Sequence, residues 1–375
     1  MTGHLLFIIN GLGMGNSTRC HAIIEHLAER GLQVHVLTSG NGLTFFDGRH
    51  EVASLTPTQA LTYSGNQGRI SGWKTMGSLD TLLRLNRTKE RDVESFLQRQ
   101  AVDVVVTDSE YSAAPAHRRG IPVLGLNNSD VVVTEYLRRR GKPAAIRSQF
   151  WCFEFMDYLF HRQRCDLVVS PSPMQGRLRH ARIRRVGLIV RRAVRELAAA
   201  GRCDFPLPRE LKRVVFMLSG STFASEISFG QGDFPFHIDV VGRSGDNIGN
   251  VTFHGRLMDN ARFLAQADAL VINGGFSAVS EALALNKPTF VIPLQNHAEQ
   301  YVNAHLVRDL GRGYVVRAEE VIDKLLQLHA ANRWDDLKPA TPLLGIDGAR
   351  ESAEIICEMA ERHAHAHHGV APVQV

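Results

Sequence analysis

Val271-Ile272-Asn273-Gly274-Gly275-Phe276-Ser277-Ala278-Val279-Ser280-Glu281-Ala282-Leu283-Ala284-Leu285-Asn286-Lys287-Pro288-Thr289-Phe290-Val291-Ile292-Pro293 reads as strand, glycine turn, helix and strand. The aliphatic run stops at Gly274-Gly275, and an apolar helical pattern opens at Ser277 and ends at Asn286. Lys287-Pro288 then breaks the helix and starts a second aliphatic run. A strand that turns through glycine into a helix leaves the helix's first amides without partners and facing the turn. The amides of Phe276, Ser277 and Ala278 are therefore placed to hold an anion such as a diphosphate, with the helix dipole in support. Glu281 lies about one turn further in, where its carboxylate can accept both hydroxyls of a ribose. A surface pair between Glu281 and Lys287 is the plainer alternative. After Pro293, Asn296-His297-Ala298-Glu299-Gln300-Tyr301-Val302-Asn303-Ala304 returns acid and amide side chains to the same edge.

The same alternation extends in both directions. Candidate strands Val214–Leu218, Ile238–Val241, Asn250–Phe253, Ala269–Ile272 and Thr289–Ile292 interleave with helices at Met258–Ala267, Ala278–Ala284 and Gln300–Leu310. Upstream, Leu5–Ile9, Val34–Thr38, Val102–Thr107, Val123–Leu126 and Leu167–Ser170 form an earlier series, with helices at Thr18–Arg30 and Thr88–Arg99. Short aliphatic runs between amphipathic helices indicate parallel sheets covered on both faces. The expected organisation is an α/β chain of two Rossmann-like domains facing a central cleft. Its parts are an N-terminal domain over 1–190, a linker over 191–212 carrying Gly201, Pro206 and Pro208, a C-terminal domain over 213–362, and a disordered histidine-bearing tail over 363–375. Tyr63–Gly77, with four glycines, reads as a loop near the cleft.

The first strand also runs into glycine, as Asn10-Gly11-Leu12-Gly13-Met14-Gly15-Asn16-Ser17-Thr18-Arg19. Gly13 and Gly15 permit a tight turn and close approach by a ligand. The spacing is not G-x-G-x-x-G, and no acid stands about 20 residues on, so a dinucleotide site is not indicated. Thr18 reads as a helix N-cap.

Composition narrows the class. The 375 residues are 44% hydrophobic and 22% charged with net charge +5, which suits two globular cores. No apolar run reaches the ~18 residues of a membrane span. The N-terminus reads as a strand rather than a secretory signal. Five scattered cysteines without a C-x-x-C pair point to neither a disulfide framework nor structural zinc, and hence to a cytoplasmic location. Basic clusters at Arg138-Arg139-Arg140 with Lys142, and between Arg177 and Arg192, read as solvated faces. The alternative is a phosphate-bearing or lipid-linked acceptor, or peripheral contact at the inner membrane face. No basic stripe interleaved with aromatics suggests nucleic acid.

Gly-Gly-x-Ser-x-x-x-Glu, then Asn-Lys-Pro, then Glu-Gln-x-x-Asn-Ala, with the glycine loop and an interdomain strand at Val186-Gly187-Leu188-Ile189-Val190-Arg191 upstream, resembles the GT-B glycosyltransferases. The nearest branch is the family 28 type that includes the lipid II-forming N-acetylglucosaminyltransferase MurG and its uncharacterised relatives. The resemblance covers essentially the whole chain and is more specific in the C-terminal half. It implies a metal-independent, inverting transferase that takes its sugar from a nucleotide diphosphate, a UDP-sugar, with no cofactor and no metal. It also implies donor contacts at Gly274, Gly275, Ser277 and Ala278, a ribose contact at Glu281, and sugar contacts at Glu299 and Gln300 supported by Asn303. A second phosphate-proximal turn would be Ser219-Gly220-Ser221, and base recognition would fall at Phe253-His254-Gly255.

Relatives carry a histidine where this chain has Asn16, and an amide cannot accept a proton at neutral pH. Asn16 would position rather than deprotonate. The replacement bases considered are Asp108, with Glu110 beside it at a strand's carboxyl end, and His21 in the first helix. An acceptor acidic enough to need no strong base is another solution. The competing classes are a nucleotide-sugar hydrolase or 2-epimerase on the same scaffold, and a non-catalytic partner subunit.

Overall fold

The computed structural model describes residues 3–59, 65–66, 69–70, 79–175, 180–200, 207–208, 210–218, 227–257, 259–334, 336–339 and 342–368. The chain begins with β1 (His4–Ile9), α1 (Met14–Glu29), β2 (Gln33–Thr38), α2 (Asn41–Phe46), β3 (Ser54–Pro57), α3 (Leu79–Arg99) and β4 (Val104–Asp108). α4 (Ala114–Arg118), β5 (Val123–Leu126) and α5 (Ser129–Arg138) follow. A helical run then passes from a 3₁₀ turn, Ala144–Ile146, through Arg147–Gln149 and a π-helical turn, Phe150–Glu154, into α6 (Phe155–Arg164). β6 (Leu167–Pro171) and β7 (Ile183–Val186) complete a seven-stranded sheet of order β3-β2-β1-β4-β5-β6-β7, parallel throughout.

α7 (Arg192–Ala200) leads into β8 (Arg213–Met217), β9 (His237–Val241), β10 (Val251–Phe253), α8 (Ala261–Gln266), β11 (Ala269–Asn273), α9 (Phe276–Ala284), β12 (Thr289–Ile292), α10 (Ala298–Asp309) and β13 (Gly313–Val315). These strands form a six-stranded parallel sheet, β10-β9-β8-β11-β12-β13. In both sheets the strand order reverses beside the first strand, with β1 next to β4 and β8 next to β11. A crevice opens there at the strands' carboxyl ends, where ligands bind in such sheets.

The strands are apolar because both faces are covered. Leu5, Phe7 and Ile9 of β1 pack in one cluster with Ile23, Ile24 and Leu27 of α1. Leu6 and Ile8 point to the other face, against Phe96 and Leu97 of α3. β8 divides likewise, Val215 facing Val279 and Leu283 of α9 and Val214 and Phe216 facing Leu325, the last from α11 (Val321–Ala331).

Several expectations are corrected here. α1 starts at Met14 with Gly13 as N-cap, and the Thr18 hydroxyl donates back to the Met14 carbonyl at 2.7 Å, so Thr18 lies inside the helix. α9 likewise opens at Phe276, with Gly275 before it. Part of the expected linker is α7, whose Val194 is fully buried. Val186–Arg191 is not one strand, since β7 ends at Val186. The largest correction concerns the end of the chain. α12 (Gly348–His368) continues five residues past His363, where a disordered tail was expected. Its stripe of Ala349, Ala353, Ile356 and Ala360 is buried in the N-terminal half, in the cluster that contains α1. The chain therefore crosses between halves twice. At the crossing Leu188 N–H donates to Gly345 O and Gly348 N–H to Leu188 O. A Cβ on Gly187 would stand 2.8 Å from Gly345 O, and one on Gly348 2.0 Å from Gly187 O. Tyr63–Gly77 lies largely outside the described residues.

Candidate active site

The two glycine turns face each other across the cleft. Gly11 and Gly274 are there for packing: a Cβ on Gly11 would meet Ser39 O at 1.6 Å, and one on Gly274 would meet Gln300 O at 2.7 Å. Among the described residues nothing stands within 4 Å of where a Cβ on Gly13 or Gly275 would be. At the mouth the Ser277 hydroxyl donates to Gly15 O at 3.1 Å. The first turns of α1 and α9 therefore touch, and Asn16 sits half-buried in the first turn of α1 beside that contact. Phe276 is buried beneath α9, while Ser277 and Ala278 remain half-exposed.

Glu281 is 5% exposed, but Lys287 is not its partner. Arg191, the first residue after the crossing, donates Nε to Glu281 Oε1 at 2.6 Å and Nη2 to Oε2 at 2.9 Å. Nη2 also reaches Asn260 Oδ1 at 2.5 Å, and Nη1 lies 3.5 Å from Asp259. Burial, the largest single influence, lowers the guanidinium's pKa, but the Glu281 charge, the hydrogen bond to it and the Asp259 charge together outweigh it and the value is raised. A carboxylate has about four lone-pair sites, so a bidentate arginine fixes Glu281 and leaves two sites for hydroxyls.

Asp108 is buried at 1% exposure and fully occupied. Arg19 Nε donates to Oδ2 at 3.0 Å and Nη2 to Oδ1 at 2.5 Å, with Cys20 Sγ 3.2 Å from Oδ2. The Ser109 hydroxyl is a fourth donor, to Oδ1 at 3.3 Å, so the lone-pair sites of this carboxylate are filled. Glu110 is paired with the buried Lys89 at 2.5 Å, and burial raises its pKa despite that charge. His21 faces Glu25, Glu51 and Arg49 within the N-terminal half. Burial, followed by Arg49, lowers its pKa to about 4. None of the three proposed bases is brought free to the cleft.

Asn303 is buried and donates to Gly274 O at 2.9 Å and to Glu299 Oε1 at 3.4 Å, so it supports the turn and the acid together. Gln300 Oε1 accepts from Leu294 N–H at 3.0 Å and pins the preceding loop. The amides expected near the base are spent within the half. Phe253 N–H donates to Asn247 Oδ1, His254 N–H to Val240 O and Gly255 N–H to Arg243 O. A base contact there falls to carbonyls or side chains. Ser219, Gly220 and Ser221 lie outside the described residues.

One group at the cleft carries no motif. Glu154, at the end of the π-helical turn, enters the start of α10 from the opposite half. Gln149 Nε2 donates to Glu154 Oε1 at 2.7 Å, and Gln149 Oε1 accepts from Ala298 N–H at 2.8 Å. Burial, then the Glu299 charge, raises the Glu154 pKa to about 8. His297, the N-cap of α10, is lowered to about 4 by burial, and its Nδ1 is buried with no hydrogen-bond partner among the described residues. Behind them, Asp157 accepts from the Tyr111 hydroxyl and Asn127 Nδ2, each at 2.7 Å. Glu154, His297 and Glu299 offer ligand atoms within 4.8 Å of one another, a donor set of the kind that takes a transition metal. His21, Glu25 and Glu51 form a similar group, but Arg49 and Arg192 stand against it.

Two parallel sheets of Rossmann order, closed on a cleft between glycine turns, define a glycosyltransferase of the GT-B type. The chain belongs to glycosyl transferase family 1, whose profile matches residues 3–145 and 216–330. It is similar to an uncharacterised glycosyltransferase of Methanopyrus kandleri, 26% identical over 75% of this chain and 85% of that one. It is also similar to a UDP-N-acetylglucosamine–N-acetylmuramyl-(pentapeptide) pyrophosphoryl-undecaprenol N-acetylglucosamine transferase of Bacillus cereus, 23% identical over 78% and 84%. Among solved structures it superposes on Acinetobacter baumannii MurG with TM-score 0.53, 12% identity, and 95% and 99% coverage. It also superposes on LpCGTa in complex with UDP with TM-score 0.61, 14% identity, and 96% and 99% coverage. These low identities speak for the fold.

Proposed function

We propose that the chain transfers a sugar from a UDP-sugar to an acceptor hydroxyl, with inversion and without a metal at the diphosphate. The observation that carries this reading is the start of α9: an open Gly275, half-exposed Ser277 and Ala278, and a Glu281 carboxylate held by Arg191 with two acceptor sites to spare. The amides following Gly275 and the α9 dipole take the charge that builds on the departing diphosphate. Ser277 exchanges Gly15 O for a phosphate oxygen, so the donor replaces the contact at the cleft mouth. Glu281 receives the ribose, while Glu299 and Gln300 lie where the sugar projects.

A lipid-linked acceptor, reached from a membrane surface, is the second part of the proposal. Leu137, Trp151 and Met156 are 53%, 50% and 55% exposed, on neighbouring helical segments, with Arg138 at the end of α5 and Arg140 and Lys142 in the loop that follows it. Apolar side chains ringed by cations suit an anionic interface. No described helix is long and apolar enough to cross a membrane.

The donor reading is tested by thermal shift. UDP at 100 times its dissociation constant stabilises by about 2.7 kcal/mol, and Glu281→Ala is expected to abolish the shift. Undiminished UDP affinity in that variant defeats the assignment.

A further inference from the structure

At the start of α10, Glu154 enters from the N-terminal half to meet His297 and Glu299 of the C-terminal half, and each brings one ligand atom within 4.8 Å of the others. We propose that this trio binds a divalent transition metal, zinc above all, and that the bound ion fastens the two halves together. The site stands on coordination geometry and does not depend on where the nucleotide binds.

Both acids are aimed by an amide and keep a free oxygen. Gln149 Nε2 donates to Glu154 Oε1 at 2.7 Å, and Asn303 Nδ2 to Glu299 Oε1 at 3.4 Å. Oε2 of each carboxylate carries no hydrogen bond among the described residues. Gln149 also accepts from Ala298 N–H, and Asn303 also donates to Gly274 O. The amides that orient the acids are thus fixed to backbone in their turn, as the outer partners of metal ligands are. His297 points the same way. Its imidazole is packed round by protein, and its Nδ1 is buried with no partner among the described residues. A buried nitrogen left bare is costly and calls for a water or an ion.

Charge and size favour the ion. Two carboxylates this close repel unless a cation or a proton lies between them. Arg19 acts on Glu299, but its Nε and Nη2 are committed to Asp108. A divalent ion cancels both charges, and one imidazole with two carboxylates suits zinc and its first-row neighbours better than magnesium or calcium. Ligand atoms on a tetrahedral zinc stand about 3.3–3.6 Å apart, so the glutamates need close by only about an ångström. Three protein ligands leave the fourth position to a water or a hydroxyl oxygen from the cleft. The trio of His21, Glu25 and Glu51 lacks this balance, because Arg49 and Arg192 already stand against it.

The test uses the full chain, stripped with EDTA and titrated with zinc chloride or cobalt chloride. Wild type is expected to hold one equivalent of zinc through gel filtration, and Glu154→Gln, His297→Ala and Glu299→Gln to lose it. The histidines between 363 and 368 are common to every variant and cancel in that difference. Zinc is expected to raise the thermal midpoint of wild type and to leave the three variants unmoved. His21→Ala keeps the equivalent. His297→Cys keeps it too, since cysteine is itself a zinc ligand, and its cobalt form gains a near-ultraviolet thiolate-to-cobalt band that wild type lacks. That band reports the ligand directly, whatever the other variants do to folding. Zinc held equally by wild type and the three ligand variants overturns the assignment. So does a wild type with no retained equivalent, an equivalent lost in His21→Ala but kept in His297→Ala, or a His297→Cys protein that shows no such band.

Discussion

Each half places a bidentate arginine–carboxylate pair beside the helix that follows its first or fourth strand, yet the two pairs differ in kind. In the N-terminal half Arg19 stands on α1 and closes on Asp108 at the end of β4, with exposures of 7% and 0%. In the C-terminal half the acid is on the helix, at Glu281, and its arginine is Arg191 at the crossing, 18% exposed. The first pair has no spare capacity facing the cleft and ties a helix to a strand end. The second holds an acid in place while leaving part of it accessible, and it joins the donor half to the segment that links the halves. The same chemistry is closed off in one half and, on the proposed reading, poised for a ligand in the other. Burial and the location of the partner make the difference.

The comparison can be broken most severely at Arg19. Arg19→Ala leaves Asp108 buried and unpaired, a change that costs about 3–5 kcal/mol. A large fall in the denaturation midpoint is expected, and a fall under 1 kcal/mol would show that the pair is not structural. Arg191→Ala is expected to act the other way round, with a smaller stability loss but UDP affinity reduced about ten- to a hundredfold, the equivalent of ~1.5–3 kcal/mol for a hydrogen bond to a charged group. Calorimetric titration with UDP reads that number, and equal losses of stability and affinity in both variants would erase the distinction.

Titration sharpens it further. His21 and His297 are depressed to about 4 from 6.5, so the stability tied to their neutral forms is present above pH 6.5 and lost as pH falls toward 4. Glu154 is raised to about 8 from 4.5, so its contribution is full below pH 4.5 and is lost as pH rises through 8. Midpoints measured across pH should therefore decline on both sides, with His297→Gln softening the acid limb and Glu154→Gln the alkaline one. The smallest effect is reserved for Ser277→Ala. Loss of the single hydroxyl bond to Gly15 O is expected to change stability by about 0.5–1.5 kcal/mol, read from the same midpoints.

Much of the fold was legible because strands buried on both faces are aliphatic throughout: Val123–Leu126 and Thr289–Ile292 occupy the expected residues. The glycine turns were legible because an abrupt strand-to-helix reversal needs residues without side chains. Other features left weaker marks. α7 was obscured by the glycine and prolines after it. α12 carries the stripe Ala349, Ala353, Ile356, Ala360, but three of its four members are alanine, and the histidines at its end suggested disorder. Glu154 had no signal at all. Its environment consists of Gln149 from the same helical run and Glu299 from the other half, and no local pattern encodes that meeting. Asp108 shows the converse: its strand-end position was correctly read, but its partner 89 residues earlier, which occupies both of its oxygens, was not.

The return of α12 makes the halves inseparable as pieces of chain. Cutting between α7 and β8 would free neither, because the last helix of the downstream fragment fills the core of the upstream one. A fragment ending before Gly348 would expose apolar residues of α1 while leaving the donor sheet complete. Loss of α12 thus damages the half most distant from it in sequence, and the C-terminal half would be the more durable survivor.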